Sequence, residues 1–245
     1  MAWLADIDYH QPEDKRAKAA EAIRQMGAQT LPFLLADLGD QRSNRVRYFE
    51  TDKRTADERG NQATWAFNAL GSIGKPAIRE LVKMLEHNPG YVPGALAGIG
   101  RDALPELLNA FTHGSFWVRD NTAAYLANAI YSGKIQPEEA SAALPRAISN
   151  LAYSDTNAMF RNNTRNRAAG LLGALKLAPE ITVPALTQGL ADTNPTVAST
   201  CAWSLLGFGP EAKSAIPMLI KAAESTNAQV NSASRRALEQ IEKAQ

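Results

Sequence analysis

The chain has 245 residues, 45% of them hydrophobic, and it sets 26 basic against 25 acidic residues for a net charge of +1. That composition suffices for a large core and excludes polyanion binding by bulk charge, leaving only local basic patches. A single cysteine, Cys201, excludes an internal disulfide, and no apolar run reaches the ~18 residues of a membrane span.

The start, Met1 to Asp8, carries two acids where a secretory signal would be basic. The chain is therefore expected to be soluble and cytoplasmic, without a membrane partner. Lys15, Arg16, Lys18, Glu21, Arg24 and Gln25 then give a helix whose outer side is charged. Its apolar mark is Ile23. After a short turn, Leu31-Pro32 opens a second apolar helix, since proline in a first helical turn loses no intrahelical hydrogen bond.

An insertion follows at about 41–60. It carries Arg42, Arg45, Arg47, Lys53, Arg54 and Arg59, with Asn44, Tyr48 and Phe49 among them, against Glu50, Asp52, Asp57 and Glu58. Beyond it, Trp65 to Gly74 reads as a helix of small residues with Leu70 near its end and a closing glycine, the residue that accepts a left-handed conformation. Ile78, Leu81, Val82 and Leu85 keep helical spacing in the partner helix. The next pair is shortened at Val92-Pro93 and continues at Leu104-Pro105 with Leu107, Leu108 and Phe111. Val118-Arg119 starts another first helix and Leu144-Pro145 its partner.

The second insertion, at about 157–167, has Phe160, Arg161, Asn162, Asn163, Arg165 and Arg167 and no acid. Both insertions join a second helix to the next first helix, so both are expected as loops on one rim. Lys176 then stands where a closing glycine is due, and Val183-Pro184 opens the partner helix. Thr200 to Gly209 repeats the Trp65–Gly74 pattern, Ile216-Pro217 follows, and Arg235, Arg236, Glu239, Gln240, Glu242 and Lys243 give the final half-unit a polar side.

The late apolar residue of each first helix marks a register: Ile23, Leu70, Leu96, Leu126, Leu172, Leu205 and Leu238. The intervals are 47, 26, 30, 46, 33 and 33 residues, the long ones being those with insertions. One hairpin cannot cover its own apolar stripe, so neighbours must stack.

The small residues, the closing glycine, the Ala-[Leu/Ile]-Pro turns and Val118-Arg119, with Val197 and Val230 in equivalent places, resemble HEAT repeats of the short bacterial HEAT-like kind. The resemblance covers nearly the whole chain and implies an all-α fold: a right-handed α-α superhelix, a HEAT-like solenoid of about six to seven helical hairpins, forming one domain over 1–245. It departs at Arg79, where other units have proline, at Lys176 and at Val92-Pro93. It also implies that Arg119 is structural, reaching an aspartate in a neighbouring turn.

Chemistry-bearing motifs are scarce. His10, His87 and His113 lack companions at metal-ligand spacing, and no P-loop, nucleophile elbow, dinucleotide or kinase signature occurs. No metal, cofactor or catalytic residue is expected, although the resemblance also extends to HEAT-like proteins that attach bilins or excise alkylated bases. Glu13, Asp14, Asp40, Asp155 and Asp192 fall at helix starts or turns, where capping and the helix dipole account for them. Trp65, Trp117 and Trp203 are expected in packing, and Cys201 as a buried thiol.

Binding is the leading expectation. Four residues beyond each proline position stand Ala36, Lys83, Asn109, Ser149, Gln188 and Lys221, a polar ladder expected on the concave wall of the stack. With the arginine-bearing segments, the candidate partner-binding residues are Arg42, Arg45, Arg47, Tyr48, Lys83, Asn109, Phe160, Arg161, Asn163, Arg165, Arg167, Gln188 and Lys221. The expected partner of this monomeric scaffold is another protein or peptide. The alternative is nucleic acid or another anionic ligand taken by the Arg/Asn segments.

Overall fold

The computed structural model describes residues 6–7, 11–40, 54–154 and 157–243. Among them are thirteen α-helices, and no strand. The chain divides into two compact units, Met1–Tyr125 and Leu126–Gln245.

Among its described residues the first unit holds three hairpins: α1 (Glu13–Met26) with α2 (Leu31–Gly39), α3 (Ala56–Leu70) with α4 (Ile78–Met84), and α5 (Val92–Ile99) with α6 (Leu104–His113). Helix α7 (Phe116–Tyr131) begins in this unit, with Thr122 donating to the Val118 carbonyl at 2.6 Å. In the second unit α8 (Leu144–Leu151) is followed by α9 (Ala158–Leu175) with α10 (Pro179–Gly189), α11 (Pro195–Phe208) with α12 (Ile216–Ala223), and the unpaired α13 (Ala228–Lys243).

The first helices end as the glycines dictate. Gly27, Gly71, Gly100 and Gly209 take φ of 58, 55, 85 and 54° and each leads into a 3-10 turn toward its second helix. The N–H of the left-handed residue returns to the carbonyl of Ile23, Phe67, Leu96 and, at Lys176, Leu172. This corrects the register in α3: the left-handed residue is Gly71, so the counterpart of Leu96 is Phe67, one turn before Leu70. Gly74 instead makes room for Ile99, whose Cγ1 would lie 2.8 Å from a Cβ there.

Prolines 32, 105, 145 and 217 occupy first turns as expected. Pro184 does not. Helix α10 starts earlier, at Pro179, because left-handed Lys176 (φ 49°) and Ala178 (φ 47°) turn the chain without a 3-10 segment and leave Pro184 inside the helix. Starts are capped locally: Thr55 and Glu58 form a reciprocal capping box on α3, and Asn157, Asn194 and Asn227 accept from the first-turn N–H groups of α9, α11 and α13.

Core positions follow the repeat. Ile23, Phe67, Leu96, Leu172 and Leu205 are fully buried, and so are the second-helix residues Leu34, Leu81, Leu107, Ala147, Leu186 and Leu219. Cys201 is buried within α11, opposite Gly189 of α10, and desolvation pushes its thiol up to about 12, so it stays protonated.

Candidate binding face and its supporting ion pairs

Each second helix turns one side into the core, and the residue two places on faces out. Ala36, Lys83, Asn109, Ser149, Gln188 and Lys221 are all exposed. The helical period requires this: a step of two residues rotates about 200°, nearly to the opposite side. Lys83 donates to Glu80 one turn away at 2.7 Å, and Asn109 Oδ1 lies 3.1 Å from His113 Nδ1. Both sit on solvated surface. Glu86 accepts from the Ser115 N–H at 3.0 Å, which holds its carboxyl below the ordinary range and ties the end of the α4 hairpin to the start of α7.

In the second unit, shallow grooves open between successive second helices and the first-helix starts beside them. One, of about 350 Å³, is bordered by Ile148, Tyr153, Ala185, Gln188 and Asp192. The next, of about 390 Å³, is bordered by Asp192, Met218, Lys221 and Ser225. They are successive copies of one another: Leu151, Ala152, Ala185 and Gln188 in the first correspond to Leu190, Ala191, Met218 and Lys221 in the second. Asp192 belongs to both.

Asp192 is held by Arg165, whose Nε lies 2.7 Å from its Oδ2 and whose second terminal nitrogen donates to Oδ1 at 2.7 Å; the side chains are 13% and 9% exposed. Asp192 also accepts from the Asn194 N–H at 2.7 Å, which fixes the turn into α11. The first unit uses the same device at the α2–α3 junction: Arg59 lies 3.2 Å from Asp40, with 4% and 5% of their side chains exposed, and Arg54 lies 3.0 Å from Asp37. Arg119 donates to the Gly114 carbonyl at 2.7 Å, tying the start of its own helix to the preceding turn.

These pairs show how the sequence-based candidates are placed. Arg165 serves as a strut to Asp192, which compensates its charge, and it also borders the groove of about 350 Å³. The segment at 157–167 is no loop. From Ala158 it is the first half of α9, an 18-residue helix. Phe160, Arg161, Asn163 and Arg167 therefore stand on a half-buried helical surface, where Asn166 accepts from the neighbouring Thr200 hydroxyl at 2.7 Å. Of the first insertion, Arg42, Arg45, Arg47 and Tyr48 lie outside the described residues, and its described end, Arg54 to Gly60, caps and starts α3.

The role of Arg165 had a sequence signal that was missed: it precedes Leu172 by the same seven residues that separate Arg119 from Leu126. The tryptophans are less buried than expected, Trp117 being 43% and Trp203 46% exposed, and Trp203 carries the Arg236 guanidinium 5.5 Å from its ring centroid. His87 and His113 are exposed near helix ends. Among the described residues no group of three metal-ligating side chains assembles, and no helix is long and apolar enough to cross a membrane.

No family model matches the chain, and no curated protein matches it. Among solved structures it is similar to the complex of CpcE and CpcF of phycocyanin lyase from Nostoc sp. PCC7120, at TM-score 0.50 and 19% identity, over 66% of this chain and 98% of that one. An engineered protein aligns at TM-score 0.45 and 19% identity over 99% of this chain and 96% of its own, and human deoxyhypusine hydroxylase at 0.41 and 19% over 99% and 84%. At such identity the likeness to the phycocyanin lyase complex is one of fold, and the fold is all-α, of HEAT-like helical repeats.

Proposed function

We propose that this chain is a non-catalytic interaction scaffold that presents the second-helix ladder to another protein or peptide, as a single repeat domain over 1–245 and a soluble monomer. One observation carries the reading: all six ladder residues are exposed, while the residue two places before each is buried. Within each unit, positions so consistently turned outward on a packed core give a preorganised surface, and preorganisation lowers the entropic cost of binding. That a structural neighbour is a complex of two proteins, CpcE and CpcF, accords with it.

Of the arginines on which the nucleic-acid alternative rests, Arg165 is engaged by Asp192. The test is an affinity capture from the source cell's lysate, nuclease-treated, comparing the chain with a variant carrying Lys83→Ala, Asn109→Ala, Gln188→Ala and Lys221→Ala. All four sites are exposed, so the variant keeps its fold. We expect a protein captured by the chain to be lost with the variant. Capture unchanged by the variant, or abolished by nuclease, overturns the reading.

A further inference from the structure

The second-helix face of Leu126–Gln245 carries an asymmetry of charge pairing. Its part-buried cation Arg165 is matched by Asp192. Among the described residues Lys221, on α12 at the border of the larger groove, makes no ion pair. Neither does Arg146 on α8, a half-buried guanidinium whose Nε is enclosed without a hydrogen-bond partner. The charge on the Arg146 guanidinium is thus uncompensated, and a carboxylate is the group that compensates it. Arg146 occupies on α8 the place that Ala185 and Met218 occupy on α10 and α12, where each borders a groove. Between the two cations stands Gln188, whose exposed side-chain amide is also without a partner and offers both a donor and an acceptor. The acid closest in sequence on α12's outer side is Glu224, at the helix end, beyond the Lys221 position.

We propose that this face binds an extended acidic peptide segment of a protein partner, its backbone crossing Gln188 and its carboxylates meeting Arg146 and Lys221. The proposal rests on the scaffold reading above and names the partner's chemistry. Spacing supports the extended form. Packed helices stand about 8–10 Å apart and an extended chain advances about 3.3 Å per residue with side chains alternating, so carboxylates about six residues apart share one side and span the two helix steps from Arg146 to Lys221, the backbone crossing Gln188 midway. Grooves of about 350 and 390 Å³ between these helices accept small apolar side chains in the intervening places.

The test measures fluorescence anisotropy of labelled dodecapeptides made of Glu-Ala-Val triplets, with Gln-Ala-Val and Lys-Ala-Val versions and a short DNA duplex as controls, on the full chain. We expect the Glu peptide to bind at least tenfold tighter than the Gln peptide, and Arg146→Ala, Gln188→Ala and Lys221→Ala each to weaken it about fivefold. Lys221→Glu should shift preference toward the Lys peptide. Because Lys221 is exposed, that variant keeps the test decisive even where a change at Arg146 impairs folding. Equal affinity for Glu and Gln peptides, indifference to Lys221→Glu, or tighter binding of the duplex overturns the proposal. If lysate capture still depends on the ladder while the Glu peptide fails, the acidic peptide falls and the scaffold stands; if the Glu peptide behaves as expected while capture is indifferent to the ladder, the scaffold reading fails in its own test.

Discussion

In Met1–Tyr125 the first helices α3 and α5 meet across glycine and bare backbone, whereas in Leu126–Gln245 α9 and α11 meet across short polar side chains as well as glycine, Gly173 lying against Ser204. A Cβ at Gly98 of α5 would lie 2.7 Å from the Asn68 amide nitrogen of α3, and one at Gly94 would lie 2.7 Å from Thr64 and Tyr125 side-chain atoms. Between α9 and α11, by contrast, the Ser204 hydroxyl donates to the Ala169 carbonyl at 2.8 Å and the Thr200 hydroxyl to Asn166 at 2.7 Å. Backbone against backbone leaves no atom that can swing aside. A hydroxyl between helices can rotate, so such a contact yields more readily than one made against bare backbone.

The ion pairs sharpen the contrast most. Removing one partner of a buried pair strands the other charge, so Asp40→Ala should cost about 4 kcal/mol in urea unfolding and Asp192→Ala about 3 kcal/mol, the order following their exposure. Equal losses of a few tenths of a kcal/mol would mean that both arginines find water, and the strut would be no strut.

Glycine gives the next largest effect, with opposite signs at Gly98 and Gly170. Gly98→Ala must push the α3 backbone away and should destabilise by about 2 kcal/mol. Gly170→Ala in α9, whose Cβ would meet nothing nearer than the Thr200 methyl at 4.0 Å, should stabilise by about 0.5–1 kcal/mol through helix propensity. Thermal midpoints of the two variants moving in the same direction would refute the distinction.

Smaller again is the turn after α9. Lys176 holds a left-handed conformation that disfavours side chains, so Lys176→Gly should gain up to about 1 kcal/mol, less whatever its stem contributes where it lies against Gly207. Chemical denaturation reads the sum. A loss would show that the stem's packing outweighs the backbone strain.

Most of the fold was legible because its signals are periodic: buried apolar residues, left-handed glycines and first-turn prolines recur in most of the hairpins. The α3 register slipped by a turn because Gly71 and Gly74 both follow Leu70 closely, and only the backbone dihedral tells which one ends the helix. The segment at 157–167 misled for a compositional reason. Asparagine and arginine suit exposed loops, yet Asn157 caps, arginine is a good helix former, and the buried Ala168, Ala169, Leu171 and Leu172 further along pull the whole stretch into α9. The ladder was readable as a helical face, but the free charges of Arg146 and Lys221 were not, since pairing is decided by which side chains tertiary packing brings within reach.

The matching caps at Asn194 and Asn227 have a consequence for how such a chain can change length. They stand 33 residues apart, bind their first-turn N–H groups alike, and enclose one first helix, one turn and one second helix. A tandem duplication of that cassette would present to its neighbours the same caps, the same buried leucines and the same joint, so growth by whole modules disturbs no existing contact. Each added copy would bring one more groove and one more outward position like Lys221, open to a new side chain without penalty to the core. The length and charge of the binding face can thus be altered by copying and point change, while the scaffold is inherited intact.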